Sequence, residues 1–440
     1  MKIYPGTRVY VLCPASWFTG GPTLLHQLAS QLLALGIDAQ MVYLPPDGKK
    51  YDHPVSPEYE KYHVGWSGDI CDDEKNILIV FETYPWGLSY GERIRKVLWW
   101  LSVDNYFESI ARYVNSIDIK KVTTVPMDNI YVFGEKDIIH WCQSEYARQF
   151  VRCNGVPEEN IFMVEDYLSH GFLKGDEDLS QKKNIVVYNP KKGMEFTEKI
   201  IEQRPDIDWR PIQDMTPEQV KELLLQAKVY IDFGNHPGKD RIPREAALSG
   251  CVVITGRRGA AANEIDIPIS VEYKLSEYDI GRILDTIDGV FTDFLAAYQQ
   301  QYAYRQHIKH DFLRFVEELT VALEITGKRV PLWSAVLNDE EGQGLEIAKA
   351  LLELKEEYNL QFIIDDKLAN PAFVSRHIQV EKKRRYLRLS GSKIEILSSD
   401  DADFLYQEGR IRKVFAWEGM RMDGVENKLP NLQEEDLLLV

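Results

Sequence analysis

Residues 229–255 read VYIDFGNHPGKDRIPREAALSGCVVIT. The stretch opens on a short apolar, β-branched run (229–233) with the length of a buried strand. A polar loop carrying Gly234, Gly238, Lys239, Asp240 and Arg241 follows. Pro243 stands where a helix would begin, because its fixed φ suits a first turn and its missing N–H costs nothing there. The helix is expected to be brief and to close at Gly250, which can take the left-handed conformation of a C-terminal cap. A second buried strand over 251–255 completes the crossover unit of a parallel sheet. In such sheets ligands bind at the carboxyl ends of the strands, where this loop lies. Its backbone N–H groups, the helix N-terminus and three cations (Lys239, Arg241, Arg244) suit a diphosphate.

The same pattern extends to both sides. Buried strands are expected over 8–13, 39–44, 77–81, 97–101 and 140–143, with a Gly20-Gly21 turn and a helix over 22–35 between the first two. That turn lacks G-x-G-x-x-G and a suitably placed acid, so it is not the dinucleotide fingerprint; a plain tight turn is its alternative reading. Ser144 is placed to cap a helix over 145–153. A second sheet starts at 184–188, and Thr216-Pro217-Glu218-Gln219 spells a capping box that opens the helix feeding the central strand. Residues 279–323 are amphipathic and helical in period.

Composition sets the bounds. At 440 residues two or three domains are expected. A hydrophobic share of 44% with 28% charged residues allows sizeable cores. The net charge of −17 argues against a nucleic-acid partner, whose phosphates need neutralising cations. Five scattered cysteines in mostly apolar runs read as reduced core residues of a cytoplasmic protein. No signal peptide or spanning segment is expected, so membrane contact would be at most peripheral.

The segment PREAALSGCVVIT resembles the donor site of GT-B glycosyltransferases of the large retaining type, with Glu245, Ser249, Gly250, Val253 and Ile254 in the family's frame. The first loop resembles the family's glycine turn through Gly20, Gly21, Leu28, Ala29, Leu32 and Gly36. The resemblance ends near residue 326. It implies an α/β fold of two Rossmann-like domains facing a cleft, 1–170 on the acceptor side and 171–328 on the nucleotide-sugar side, with a hinge within 166–183. It also implies that Glu245 holds the ribose hydroxyls, and that Lys192 of Lys192-Gly193 meets the donor diphosphate, with Lys191 its rival. Gly20, Gly21, Gly193, Gly238, Lys239, Arg241 and Arg244 would complete the donor site. The family carries another glutamate eight residues before Glu245, facing the donor sugar; here that position is Pro237. Retention is the expected course, and inversion would need a base such as Asp104.

Glu82 and Asp104 follow the strands expected at 77–81 and 97–101, and are candidate bases or acceptor ligands. Solvated strand ends are the alternative for each. Nearby aromatics (Tyr84, Trp86, Trp99, Trp100, Tyr106, Phe107) could stack on sugars or fill a core, the second being the expectation for Trp99. No D-x-D occurs, so metal-free turnover is expected, with no cofactor beyond the nucleotide-sugar substrate. The acceptor would be a glycan, protein or lipid-linked molecule. A non-catalytic scaffold on the same fold, or a nucleotide-sugar epimerase, would fit the same segments. Residues 329–440 read as a small α+β appendage, one helix (344–358) and short strands, outside the donor site and available for oligomer contacts.

Overall fold

The structure, a computed structural model, describes residues 1–44, 53–116, 131, 133–134, 137–168 and 178–325, with five strands between 333 and 416. Strands β1 (Arg8–Pro14), β2 (Asp38–Leu44), β3 (Ile77–Phe81), β4 (Arg95–Trp100), β5 (Ile138–Cys142) and β6 (Ile161–Met163) form one sheet in the order β2-β1-β3-β4-β5-β6. Every pairing in it is parallel. All five residues of β3 are buried, as a parallel sheet covered on both faces requires. A second parallel sheet takes the order β10-β9-β7-β8 from β7 (Lys183–Tyr188), β8 (Asp208–Pro211), β9 (Ala227–Asp232) and β10 (Val252–Thr255).

Helices α1 (Gly20–Ala34), α2 (Pro57–Glu60), α3 (Val103–Ser116) and α4 (Glu145–Cys153) belong to the first half. The second has α5 (Met194–Gln203), α6 (Pro217–Gln226), α7 (Arg241–Leu248), α8 (Ile280–Thr292), α9 (Phe294–Gln300) and α10 (Tyr302–Lys309), followed by α11 (Asp311–Ala322). The expected caps form: the Ala147 N–H donates to Ser144 Oγ at 3.1 Å, and Thr216 and Gln219 make a reciprocal capping box. Helix α7 starts two residues before Pro243, whose missing N–H still falls among the unpaired donors of the first turn. It closes at Gly250 with φ +84°.

Three elements depart from the sequence reading. Residues 103–106 begin α3, where only a polar strand end was expected. The three-residue β6 and the half-buried DWRP edge strand β8 are too short and too polar to signal themselves. Helix α11 falls within the helical stretch expected over 279–323 and crosses back onto the first half, where Phe315, Leu319, Ala322 and Leu323 join the core around β1 to β6. The N-terminal ammonium donates to the carbonyl of Ala322 at 2.5 Å.

The body through Ile325 and the chain from Thr326 onward are separate compact units. In the latter, β11 (Trp333–Leu337), β12 (Leu360–Ile364) and β15 (Lys413–Ala416) pair in parallel, while β13 (Arg385–Ser390) and β14 (Lys393–Ser398) form an antiparallel hairpin. The helix expected over 344–358, and residues 169–177 of the expected hinge, lie outside the described residues. Among the described residues no helix is long and apolar enough to cross a membrane.

Candidate active site

In the first sheet the strand order reverses beside β1, with β2 on one side and β3 on the other; in the second it reverses beside β7. Such switch points open crevices at the carboxyl ends of the strands. A cavity of about 660 Å³ occupies the first of them. It is lined by Pro14 at the end of β1, Gly20 and Gly21 at the start of α1, Glu82 and Thr83 after β3, and Leu101 and Ser102 after β4. Its opposite wall is the loop from Pro237 to Arg241 in the second half.

That loop is docked on the first sheet. The carbonyl of Pro237 accepts from the Val103 N–H at 3.2 Å, and the Lys239 N–H donates to Gln143 Oε1 at 2.9 Å. Gly238 lies so close that a Cβ there would stand 2.5 Å from Gln143 Oε1 and 2.7 Å from the Leu101 carbonyl. The glycine expected to admit a diphosphate thus admits the other half of the protein. Across the same junction Asp266 accepts from the N–H groups of Glu145 and Tyr146, at 2.7 and 3.0 Å. A carboxylate there suits the positive end of α4.

The three cations of the loop have different fates. Arg244 has 2% of its side chain exposed, and pairs with Asp166 at 2.7 Å and Asp311 at 3.0 Å. Lys239, with 1% exposed, holds Glu165 and Asp311, which Arg314 also engages. Buried charges need such partners. Both residues, expected as diphosphate ligands, therefore have their charge committed to carboxylates that tie α11 and the end of β6 to the loop. Arg241 has a third of its side chain exposed, lines the cavity, and stands 3.7 Å from Glu245.

Lys192 does not line the cavity; its ammonium pairs with Asp240 at 2.6 Å. Gly193 caps α5 with φ +61°, and a Cβ there would stand 2.8 Å from the backbone of Phe233 and Gly234. The two loops at the second switch point approach too closely for any other residue. The fully buried His236 lies between Asp232 Oδ1 at 3.6 Å and Asp240 Oδ2 at 3.2 Å. Burial works against its charge, but the two carboxylates outweigh burial and Lys192, and its pKa is raised above 6.5. The stability His236 contributes is therefore full below the unfolded pKa and is lost as pH rises through the folded one. His236→Gln should lower the melting temperature more at about pH 6 than at about pH 9. An equal loss at both would show that the ring is held neutral.

Among the described residues two groups bring His and carboxylate ligand atoms within 4.8 Å of one another: Asp232, His236 and Asp240, and Glu165, His307 and Asp311. The first already holds Lys192, and the second Lys239 and Arg314. A metal ion would have to displace one of the protein's own cations.

Glu82 lines the cavity with 3% exposure. One oxygen accepts from the Leu101 N–H at 3.1 Å, and burial pushes its pKa up to about 8. Asp104 sits in the first turn of α3 outside the cavity lining, and accepts from the Tyr146 hydroxyl at 3.0 Å. Glu245 on α7 is largely covered, with 13% of its side chain exposed, and is not in the cavity wall; burial raises its pKa against Arg241 and Arg244. Gln143 and Asp166, which fasten the loop, were not singled out from sequence. Their signal was position alone, at the end of an expected strand and the start of the expected hinge.

No family model matches the chain, and no curated protein matches it. Solved structures do. HepE of Anabaena in complex with UDP superposes with a TM-score of 0.50 at 8% identity, over 72% of this chain and 99% of that one. Sucrose-phosphate synthase from Thermosynechococcus elongatus gives 0.45 at 12% identity, over 72% and 100%. A variant of S. aureus TarM solved with fondaparinux, α-GlcNAc-glycerol and UDP gives 0.41 at 12% identity. The match covers 61% of this chain and 60% of TarM, so this chain spans less than two thirds of that protein. The fold is GT-B: two Rossmann-like halves, each a parallel sheet flanked by helices, facing a cleft.

Proposed function

We propose that the protein is a glycosyltransferase that moves a sugar from a nucleotide-sugar to a glycan, protein or lipid-linked acceptor. The observation that carries the proposal is the cavity at the first switch point, with a glycine turn on one wall and Arg241 on the other. Residues 1–170 would receive the acceptor and 171–328 the donor. Arg241 would offset charge on the departing diphosphate. Lys192 would assist, because Asp240 is shared with His236 and can hold one cation when the other is drawn away. With these cations in place no metal is needed to stabilise the leaving group. Glu245 would bind the ribose from the second turn of α7. The solved complex of HepE with UDP makes UDP the first nucleotide to try.

Calorimetry with UDP, dTDP, GDP and ADP, and with the matching nucleosides, tests this reading. One diphosphate should bind selectively. Glu245→Gln should weaken it by roughly 1.5–3 kcal/mol, the worth of a hydrogen bond to a charged group, or about ten- to hundred-fold. Arg241→Ala should weaken the diphosphate far more than the nucleoside, and lysine should not restore a forked contact. Equal losses for both ligands would place Arg241 elsewhere. A natural chain that bound none of them would favour the scaffold reading, which the docked Pro237 loop also suits.

A further inference from the structure

We propose that Glu82 takes the proton of the acceptor's attacking hydroxyl, so that transfer inverts the anomeric centre; this rests on the donor reading above. The first support is the carboxyl's isolation. Asp166 and Asp240, the other acids that line the cavity, each face a lysine or arginine of the chain. Glu82 accepts from the Leu101 N–H on one oxygen and otherwise meets its own backbone N–H, with no cation or side-chain partner among the described residues. A buried carboxyl without a counter-charge is costly to keep, and this one is kept at the cavity wall, at the strand ends of a switch point.

The surroundings supply the rest. Apolar Pro14, Leu25, Phe81 and Leu101 share the cavity with it, and Arg241 enters from the second half. Burial sets the pKa of Glu82 near 8, where a base retains strength and still has an ionised fraction at neutral pH. Asp104 is held by Tyr146 outside the lining. At position 237, where a sugar-facing carboxylate would assist retention, a proline stands instead, and its carbonyl is engaged by the Val103 N–H.

The step balances without a co-reactant. The acceptor O–H bond breaks and its proton goes to the Glu82 carboxylate. The oxygen bonds to the anomeric carbon from the face opposite the leaving group. The bond from that carbon to the diphosphate oxygen breaks, and its electron pair leaves with the nucleoside diphosphate beside Arg241. Glu82 then returns the proton to solvent. One displacement with no glycosyl-enzyme gives inversion.

The test uses the full chain with water as acceptor and UDP-, dTDP-, GDP- and ADP-linked sugars as donors, from about pH 6 to 9.5. One donor should be cleaved, and proton NMR at early times should show the inverted anomer. The rate should climb with pH to a plateau above about 8. Glu82→Gln keeps an acceptor for the Leu101 N–H, so it should fold. It should lower kcat at least about 100-fold, abolish the rise with pH, and leave donor KM and nucleoside diphosphate affinity within about twofold. Glu82→Asp should recover part of the rate. Retained configuration, a Gln variant within about threefold of the natural rate, or an unchanged pH limb in that variant would each overturn the proposal. So would cleavage of no donor by a chain that still binds a nucleoside diphosphate. Absence of nucleotide binding would instead remove the donor reading, and this inference with it.

Discussion

Replacing Arg244 with methionine should remove about 3–5 kcal/mol of stability, the usual cost of breaking a buried ion pair from one side. The guanidinium has carboxylate partners on two separate segments: Asp166 beyond β6, and Asp311 at the start of α11. It also donates to the carbonyls of Lys239 at 2.8 Å and Asp240 at 3.1 Å, which fixes the shape of the cleft loop. Methionine fills much of the same volume. What it leaves behind are two carboxylates with 10% and 1% of their side chains exposed, one of them still near Lys239 and Arg314. Because the cost lies in those orphans, adding Asp166→Asn should recover part of it. Urea unfolding measures both variants. A loss below about 1 kcal/mol, or no recovery in the double variant, would show that the pair is solvated and that the loop is held by its hydrogen bonds alone.

The contrast among Lys239, Arg241 and Arg244 shows where sequence reading stops. Spacing placed Lys239 and Arg241 on the glycine loop and Arg244 just inside the next helix, and the structure keeps them together at the strand's carboxyl end with α7 starting at Arg241. Their charges nevertheless go different ways, because Glu165, Asp166 and Asp311 lie 67 to 78 residues away in sequence. Local periodicity carries no information about pairs that distant. The β9–α7–β10 unit, by contrast, was legible to within two residues, since buried runs, Pro243 and Gly250 each act within a few positions. Glu82 and Asp104 looked alike for the same reason in reverse. Both follow a strand, and only the packing of α3 and Tyr146 separates the one in the cavity from the one beside it.

The aromatic residues after β3 and β4 divide in the same way. Tyr84 lines the cavity, and Trp86 and Phe107 are 40% and 51% exposed, whereas Trp99, Trp100 and Tyr106 are buried. Trp100 is the centre of that buried set. Tyr106 and Phe150 meet its ring edge-on at 5.1 and 5.3 Å, and Phe133 stacks on it at 5.6 Å. Its indole N–H donates to His140 Nδ1 at 3.0 Å, so Nε2 of that histidine carries the hydrogen and donates to the Tyr131 hydroxyl at 3.1 Å. Burial holds His140 neutral, with a pKa near 4. Trp100→Ala should therefore cost about 3–5 kcal/mol, as large buried aromatics do when truncated. Trp100→Phe should cost less while still leaving His140 Nδ1 without its donor. Leu101 and Ser102 follow directly and line the cavity, so the alanine variant should also weaken nucleoside diphosphate binding if the hole lets the β4 end shift. Urea midpoints and calorimetry read the two effects separately. An alanine variant that lost less than about 1 kcal/mol would mean the ring is replaceable packing, and the floor of the site would have to be held by the docked Pro237 loop instead.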